Sequence, residues 1–370
     1  MPDFLNKWRI SCSAILTIFY LSACSPNDNS DNKVIAYSEQ NLFAGLSQQT
    51  LNQAQVLPGY IFDFPADHAS HPDFAIEWWY LTANLLDESG KKYAMQWTLF
   101  RFRNQGNVTP WANDQQFMAH ASLHSTEHSW FEERFARGGV GNAAVSTQPF
   151  KVNLDNWQWL STDSNPFPST LSFSIDANVQ VTLQLQADKD IVLHGENGFS
   201  RKLRDSQQVS YYYSQPHIDV SGLLEISGKT LQVSGLAWFD HEWSSQYLDE
   251  NSQGWDWFSM HLDNGDKLML FNMRHKNNGN FWSGTLVKKS GAKIHLSQKQ
   301  IQAKVIKNHT VQGRSLPLDW SIQLQEHGID IQLKPMKIEQ WNPGMFAYYE
   351  GGTEITGSHH GVGFIELTGY

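Results

Sequence analysis

The chain has 370 residues, of which 17% are charged and 40% hydrophobic, a balance typical of a folded globular protein of about two domains. Its 27 Lys and Arg against 37 Asp and Glu give a formal net charge of -10. Without a basic patch this charge repels phosphates, which excludes nucleic acid as a partner. Aromatic residues make up 13% of the chain and include 15 Trp. Because large aromatic side chains line apolar cavities as well as fill cores, the composition favours an apolar ligand.

The N-terminus has the features of a bacterial lipoprotein signal. Lys7 and Arg9 precede an apolar run over residues 10–21, about half the length that a bilayer span needs. The run ends in Leu-Ser-Ala-Cys at 21–24, a lipobox in which the chain is cut before Cys24 and the cysteine is acylated. We therefore predict a signal peptide over 1–23 and a lipid anchor at Cys24.

The predicted processing leaves no free thiol, because Cys12 is removed with the signal and Cys24 carries lipid. Ser25 follows the anchor, which favours export to the periplasmic face of the outer membrane. Residues 25–32 are polar and turn-prone, as in a flexible tether. Residues 33–56 are the main candidate for a helix.

The body of the chain is predicted to be mainly β-sheet. From about residue 76, apolar residues recur at period two, and Gly, Asn and Asp cluster between the runs. Three hairpins are predicted, namely 171–175 with 179–185, 281–287 with 294–296, and 320–324 with 329–333. Many antiparallel hairpins and few helical stretches indicate barrels or sandwiches.

A faint internal repeat suggests two related β-domains. Both halves share an order of Asp-His, aromatic strand, Gly turn and apolar strand ending in Arg. The first copy contains Asp67, His68, Glu77, Gly90 and Arg101, and the second contains Asp240, His241, Asp256, Gly265 and Arg274. The repeat predicts that the second domain begins near residue 236.

Candidate acid/base residues lie in Trp-Phe-Asp-His-Glu-Trp at 238–243. Burying Asp240, His241 and Glu242 among aromatics is costly unless they are paired or hydrogen-bonded. One interpretation is an acid/base cluster at a pocket wall, with the pKa of the carboxyl raised by apolar neighbours. The equally weighted alternative is an Asp-His pair that only ties a loop to the barrel mouth.

Two further acids lie in Trp-rich strands, Glu77 before Trp78 and Trp79, and Asp256 between Trp255 and Trp257. Alternation sends neighbouring side chains to opposite faces, so one Trp of each pair should point inward. An inward acid would share the lumen with Trp. An outward acid on a solvated face is the favoured interpretation for Glu77 and an equal one for Asp256.

The 15 His raise the question of a metal. His120, His124 and His128 recur at every fourth residue, but on a strand neighbours would be 12 Å or more apart. No His-Glu-x-x-His or Gly-x-Ser-x-Gly pattern is present. We therefore predict no metal site, no cofactor and no serine-hydrolase site.

Six motifs in this order resemble the AttH-like family, which is related to carotenoid hydratase and is often described as predicted secreted hydrolases. They are Phe-Pro-Ala-Asp-His at 64–68, Glu-Trp-Trp-Tyr at 77–80, Ala-His-Ala at 119–121, Trp-Phe-Asp-His-Glu-Trp at 238–243, Gly-Trp-Asp-Trp-Phe at 254–258, and Gly-Val-Gly-Phe-Ile-Glu-Leu-Thr-Gly-Tyr at 361–370. The resemblance covers about residues 58–370. It implies two consecutive lipocalin-like antiparallel β-barrel domains, secreted or lipid-anchored, sometimes encoded beside an ABC-type exporter system. Fungal Diels-Alderases use a similar two-barrel scaffold around an apolar substrate.

This resemblance divides the chain into a signal over 1–23, a tether and N-terminal segment over 24–57, a first lipocalin-like domain over 58–235 and a second over 236–370. The hydratase branch implies a carboxylic acid that stays protonated until it meets an alkene, and aromatic faces that stabilise the cation. Asp240 or Asp256 would be the acid, with His241 orienting the acid or water. The candidate ligand-binding aromatics are Trp78, Trp79, Tyr80, Trp243, Trp255 and Trp257.

Two functions remain open. The favoured one is an envelope lipoprotein that binds a hydrophobic lipid or isoprenoid-like molecule, working with an ABC-type export system, because a Trp-rich lumen needs no catalysis to explain it. The alternative is an enzyme of the hydratase or hydrolase type that acts on a hydrophobic substrate. A carotenoid substrate is disfavoured, because carotenoid hydratases act inside the cell whereas this chain carries an export signal.

Overall fold

The computed structural model describes residues 53–103, 112–139, 141–187, 190–204 and 206–370. The predicted signal, the lipidation site at Cys24 and the tether lie outside the described residues. Of the helix predicted over 33–56, only residues 53–56 are described, and they are not helical. The helices within the described ranges are the three short 3-10 turns Ala66–His68, Gln298–Gln300 and Gln325–His327. In this part of the chain no helix has the length and apolarity to cross a membrane.

The described residues form two large sheets, which confirms the predicted mainly-β architecture. The strands of the first sheet are β1 Ile76–Asp87, β2 Lys92–Arg103, β3 Ala112–Ser125, β4 Ser129–Gly139, β5 Ala143–Thr147, β6 Phe150–Leu154, β7 Trp157–Ser161, β8 Ser169–Ile175, β9 Val179–Ala187, β10 Val192–Leu193, β11 Phe199–Arg201, β12 Val209–Ile226 and β13 Lys229–Gln246. The strands of the second sheet are β14 Ser252–Leu262, β15 Lys267–His275, β16 Gly279–Val287, β17 Lys293–Leu296, β18 Gln302–Val311, β19 Arg314–Leu324, β20 Ile329–Pro335, β21 Trp341–Asn342, β22 Tyr348–Gly357 and β23 Gly361–Leu367.

The first sheet closes into an eleven-stranded barrel. Its order runs from β12 through β13 and then β1 to β9, and β9 pairs back onto β12. The first part of β12 instead pairs with β10 and β11. The change of partner coincides with a register shift between Gln215 and Ile218, where Pro216 lacks the N–H that a ladder bond requires.

The second sheet is a curled half-barrel with the order β17-β16-β15-β14-β23-β22-β20-β19-β18. It differs from a closed barrel because its end strands, β17 and β18, do not pair with each other in the described sheet. The boundary predicted near residue 236 falls inside β13, which pairs with β1 and β12 of the first sheet. The first sheet therefore extends to Gln246, and the second begins at Ser252.

The three predicted hairpins are confirmed. Strands β8 and β9 pair with Ile175 opposite Val179, β16 and β17 with Val287 opposite Lys293, and β19 and β20 with Leu324 opposite Ile329. In β9 the burial alternates along the whole strand, as period-two hydrophobicity requires of a strand with one buried face.

The packing of the two sheets determines where a site can form. One face of β1 and β13 points into the barrel core, with Trp79 and Trp243. The other face of the same strands packs against the second sheet, where Tyr80 and Trp238 join Trp257 in a third apolar cluster. Strand β1 and the part of β13 from Ala237 onward are thus covered on both sides, and a cavity remains between the sheets.

Candidate functional site

A cavity of about 70 Å³ lies where β1, β2 and β13 of the barrel face β14 and β22–β23 of the half-barrel. Its walls are mostly aromatic, and three carboxyl side chains project into it. The aromatic wall consists of Trp78, Tyr80, Phe100, Phe102, Tyr212, Tyr247, Trp255, Trp257, Phe271, Phe346 and Tyr348. The carboxyls are Asp240, Glu242 and Glu366.

Strand alternation sorts the candidate residues between the cavity and the barrel core. Five of the residues predicted from sequence line the cavity, namely Trp78, Tyr80, Asp240, Trp255 and Trp257. Three others, Trp79, His241 and Trp243, project into the barrel interior. Asp256 lies outside the cavity lining and contacts Arg274 and Tyr370.

Asp240 is 3% exposed and accepts three hydrogen bonds. The Tyr212 hydroxyl donates to its Oδ2 over 2.7 Å, and the Trp238 indole donates to its Oδ1 over 2.6 Å. The Ser214 hydroxyl also donates to Oδ1. Burial raises the pKa of Asp240 to about 7 against these donors, with a further rise from Glu242. Asp240 can therefore hold or release a proton near neutral pH.

Glu366 on β23 was not singled out from the sequence, although it interrupts the apolar run Phe364, Ile365 and Leu367. The Trp255 indole donates to its Oε1 over 2.6 Å. Burial raises the pKa of Glu366 to about 8, and the negative charge of Asp240 adds to the rise. It is therefore a second acid of the cavity that stays protonated at neutral pH.

Behind Tyr80 lies a further carboxyl, Glu350 on β22, which is fully buried. The Tyr80 hydroxyl donates to it. Burial and the neighbouring Glu366 hold the pKa of Glu350 well above its usual range. The cavity thus has a cluster of neutral acids on the side of the half-barrel.

Glu242 differs because it has a cation beside it. The Lys202 ammonium forms an ion pair with Glu242 and is 1% exposed. Burial raises the pKa of Glu242, whereas the charge of Lys202 opposes that rise. The ammonium lies about 5 Å from the ring centres of three cavity residues, Tyr212, Tyr247 and Phe271. No sequence pattern indicated Lys202, because only the tertiary packing brings it here.

Glu77 lies inside the barrel, where charged partners lower its pKa, in contrast to the cavity carboxyls. It is fully buried, which contradicts the favoured prediction of an outward, solvated acid. Its carboxylate accepts hydrogen bonds from Arg101 Nε at 2.8 Å, His71 Nδ1 at 2.6 Å and His241 Nε2 at 2.9 Å. Burial alone would raise the pKa of Glu77, but His71 and Arg101 hold it well below its usual range.

The remaining ring atoms of this network are also used. His241 Nδ1 lies 3.1 Å from the Tyr213 hydroxyl, which lies 2.6 Å from His68 Nδ1. The Trp243 ring stacks on His71 with 3.8 Å between centroids. His241 therefore orients Glu77 and Tyr213 in the barrel core and does not contact the cavity carboxyls.

His71, Glu77 and His241 bring possible metal-ligating atoms within 4.8 Å of one another. The geometry fits a cation poorly, because the Arg101 guanidinium already contacts the same carboxylate. His71 also donates from Nδ1 to Glu77 and from Nε2, over 3.2 Å, to Asp67. A ring that donates from both nitrogens has no lone pair for a metal. We interpret this group as an ion-pair network.

Asp256 has an analogous role in the half-barrel. Arg274 Nε lies 3.3 Å from its Oδ1, and the hydroxyl of Tyr370 donates to the same oxygen over 2.8 Å. Each half thus pairs an acid on one strand with an Arg on the next, Glu77 with Arg101 and Asp256 with Arg274. The repeat does not extend to the Asp-His pairs, because Asp67 and His68 lie in a 3-10 turn whereas Asp240 and His241 lie in β13.

The chain is similar to several proteins of known structure. An AttH from Nitrosomonas europaea is 33% identical, with a TM-score of 0.77 over 86% of this chain and 99% of that one. Kievitone hydratase from Nectria haematococca is 16% identical, with a TM-score of 0.63 over 86% of this chain and 97% of that one. CghA in complex with Sch210972 is 12% identical, with a TM-score of 0.54 over 88% of this chain and 96% of that one. At these lower identities the last two show a shared fold alone.

Among curated proteins the sequence finds no match. The sequence profile of the AttH-like family, in contrast, matches residues 55–370, which is nearly all of the described chain. This match and the 33% identity to the Nitrosomonas protein agree with the six motifs identified in the sequence. The chain belongs to the AttH-like family.

Proposed function

We propose that the protein is an enzyme that adds water to, or removes it from, a carbon–carbon double bond of a neutral, apolar small molecule. The observation that carries this proposal is Asp240, a buried carboxyl that opens onto an aromatic cavity and whose pKa is raised to about 7. An alkene is a weak base, so its hydration needs an undissociated acid held away from water. The fold shared with kievitone hydratase is consistent with this chemistry.

In the hydration direction, the Asp240 O–H bond breaks and a C–H bond forms at one alkene carbon. The neighbouring carbon becomes a cation, which the faces of Trp257 and Trp255 stabilise. Water then adds to the cation, and its spare proton passes to the Glu242 carboxylate, which lines the same cavity. The donors Tyr212 and Ser214 stabilise Asp240 while it is ionised.

The lining also defines the class of substrate. Because Lys202 is already paired with Glu242, the described cavity lining presents acids and aromatics without an unpaired cation. A carboxylate or phosphate ester would therefore find no free cation in this lining to offset the loss of its hydration. The 70 Å³ space holds only a few water molecules, so a larger substrate requires lining side chains to move aside, and Phe346, in the segment between β21 and β22, is the one that we propose to test.

The test uses the full chain with a panel of neutral isoprenoid alkenes and prenylated phenols in ¹⁸O-labelled water. We expect a product that carries one labelled oxygen, and its rate should fall about 10²- to 10⁴-fold in Asp240→Asn. Asp219→Asn, an exposed acid on β12, is the matched control and should keep the wild-type rate. Equal rates for Asp240→Asn and wild type would refute the proposal.

A second candidate is carriage of the apolar molecule without chemistry, which the aromatic lining of the cavity also serves. In that case a molecule extracted from the purified protein is chemically unchanged, and Asp240→Asn carries as much of it as the wild type. Native mass spectrometry followed by organic extraction distinguishes the two functions.

We further propose that the protein is a lipoprotein anchored through Cys24 at the periplasmic face of the outer membrane, and that it works with an ABC-type export system. The basis for the anchor is the short apolar run over 10–21 followed by the lipobox, and the basis for the export system is the resemblance to the AttH-like family alone. Cys24→Ser should move the protein from the membrane fraction to the soluble fraction. An unchanged distribution would contradict the anchor.

A further inference from the structure

A line of buried polar side chains leads from Asp240 away from the cavity and crosses from the barrel to the half-barrel. It passes through Ser214 on β12, His194 directly after β10, and Thr285 on β16, and ends at His295 on β17. The three intermediate residues are at most 2% exposed. His295 is exposed at the surface. No step described so far uses these four residues except the Ser214 hydrogen bond to Asp240.

Each residue in the line contacts the next through a hydrogen-bonding atom. Ser214 donates to Asp240 Oδ1. His194 Nε2 lies 2.6 Å from Ser214 Oγ, and His194 Nδ1 lies 2.9 Å from Thr285 Oγ1. The outermost link, from Thr285 Oγ1 to His295 Nδ1, is the longest at 3.5 Å.

The proton positions along the line follow from simple counting. Ser214 has one proton and gives it to Asp240, so Ser214 must accept from the Nε2–H of His194. His194 is neutral, because burial, with the nearby charges of Lys202 and His295, holds its pKa well below the usual range. Its Nδ1 is therefore bare and accepts from Thr285, which in turn accepts from His295. All donors point toward Asp240.

The described groups packed around His194 do not offer the proton a second acceptor. The Tyr212 ring covers His194 with 4.1 Å between ring centroids. The charged or titratable groups that act on His194 are Lys202 and His295. Lys202 is held by Glu242 and has no lone pair while charged, so it does not divert a proton from His194.

We propose that Ser214, His194 and Thr285 form a proton relay that returns a proton from solvent, taken up at His295, to Asp240 after each catalytic cycle. The proposal rests on the proposed function, since it assigns Asp240 the part of the acid that is consumed. The three relay residues act on the substrate only through Asp240.

Each cycle takes one proton from solvent at His295 and returns one to solvent, namely the spare proton of the added water, which Glu242 accepts and then releases. Ser214 gives its proton to ionised Asp240 and takes one from His194 Nε2. His194 takes a proton on Nδ1 from Thr285, and Thr285 takes one from His295 Nδ1. His295 gives this proton as an imidazolium, because solvent has first protonated its Nε2, and the neutral ring then regains its Nδ1–H tautomer by exchange with water. The relay resets when the hydroxyls rotate and His194 returns to its first tautomer.

The experiment measures reprotonation of Asp240 in the substrate-free full chain. After a pH jump from about 9 to about 6, time-resolved infrared spectroscopy follows the carboxylic C=O band that is missing in Asp240→Asn, since these values bracket the raised pKa. Thr285→Val removes the relay hydroxyl at nearly constant volume, and Thr285→Ser keeps it. We expect the C=O band to appear at least about tenfold more slowly in Thr285→Val, and at nearly the wild-type rate in Thr285→Ser.

Equal rates in wild type and Thr285→Val would overturn the relay, because water in the cavity would then reprotonate Asp240. If Thr285→Val fails to fold, His295→Leu at the exposed end decides: a slower band supports the relay, and an unchanged band overturns it. If the C=O band appears slowly in Thr285→Val but the wild type hydrates no alkene, the proton relay is supported and the proposed function is refuted. Equal band rates alongside normal hydration would refute the relay alone.

Discussion

Glu77 and Asp240 are carboxyls on neighbouring strands of the same barrel wall, three residues apart in register, since Tyr80 lies opposite Asp240. Both are buried, at 0% and 3% exposure. Their pKa values nevertheless shift in opposite directions, because the pKa of Glu77 lies well below its usual range and that of Asp240 rises to about 7. Burial acts on both in the same direction, so burial alone does not decide the charge of a carboxyl.

The difference lies in the partners. Glu77 points into the barrel, where Arg101 and a doubly donating His71 neutralise it. Asp240 points into the inter-sheet cavity, where its partners are the neutral donors Tyr212, Ser214 and Trp238. Neutral hydrogen-bond donors reduce the free-energy cost of burying a carboxylate but do not neutralise its charge. A neighbouring cation does neutralise it.

The largest effect that the comparison predicts is on stability. Glu77→Gln leaves Arg101 and His71 buried without their counter-charge and should cost about 3–5 kcal/mol of unfolding free energy. Asp240→Asn replaces an acid that is already half neutral and should change stability by less than about 1 kcal/mol. Urea unfolding of both variants at neutral pH measures the contrast. Equal losses would mean that the two carboxyls have the same charge.

Glu242 tests the intermediate case. Lys202→Met removes its cation and should cost about 1–3 kcal/mol at alkaline pH. The loss should shrink at acidic pH, because burial raises the pKa of Glu242, and the carboxyl then takes up a proton and needs no partner. Lys91→Met, which breaks an exposed pair with Glu127, is the control and should cost less than about 1 kcal/mol at either pH.

The pH dependence of stability should carry opposite signs for the two carboxyls. The folded-state pKa of Asp240 is raised from 3.8 to about 7, so its contribution is fully present below the unfolded value and is lost as the pH rises toward 7. The wild type should therefore lose stability relative to Asp240→Asn across this window, by at most about 1.4 kcal/mol per pH unit. For Glu77, whose pKa is lowered, the contribution is lost as the pH falls. Denaturation midpoints of the wild type and Asp240→Asn are measured across the pH series. If the two curves run parallel, the pKa of Asp240 is not raised.

The smallest effect concerns access to the cavity. Phe346→Ala removes a ring from the cavity wall and should raise the affinity for a neutral apolar fluorescent probe about threefold to tenfold. Phe135→Ala, a side chain that is 52% exposed on β4, should leave the affinity unchanged. A probe titration that shows the same affinity for Phe346→Ala and wild type would mean that this ring does not limit access.

Much of the fold could be read from the sequence. Period-two hydrophobicity predicted the hairpins of β8 and β9 and of β19 and β20, because each of these strands has one solvated face and one buried face. The sheet to which β13 belongs could not be read from the sequence, since β13 resembles the start of a second repeat but pairs within the first sheet. Non-local pairing of that kind leaves no local pattern.

For the site, the sequence by itself determined that acids lie among aromatic residues on β1, β13 and β14. It also determined that neighbouring side chains on these strands point to opposite faces. It could not assign the faces. Strand β1 over most of its length and β13 from Ala237 onward are buried on both sides, so no polar face distinguishes the barrel core from the cavity.

Only the tertiary structure decided that Asp240 faces the cavity while Glu77 and His241 face inward, and only it brought Lys202, Glu350 and Glu366 to the same place. The physical reason is that the charge of a buried carboxyl depends on cations within a few ångströms, and only the packing of the chain brings a cation such as Lys202 beside Glu242.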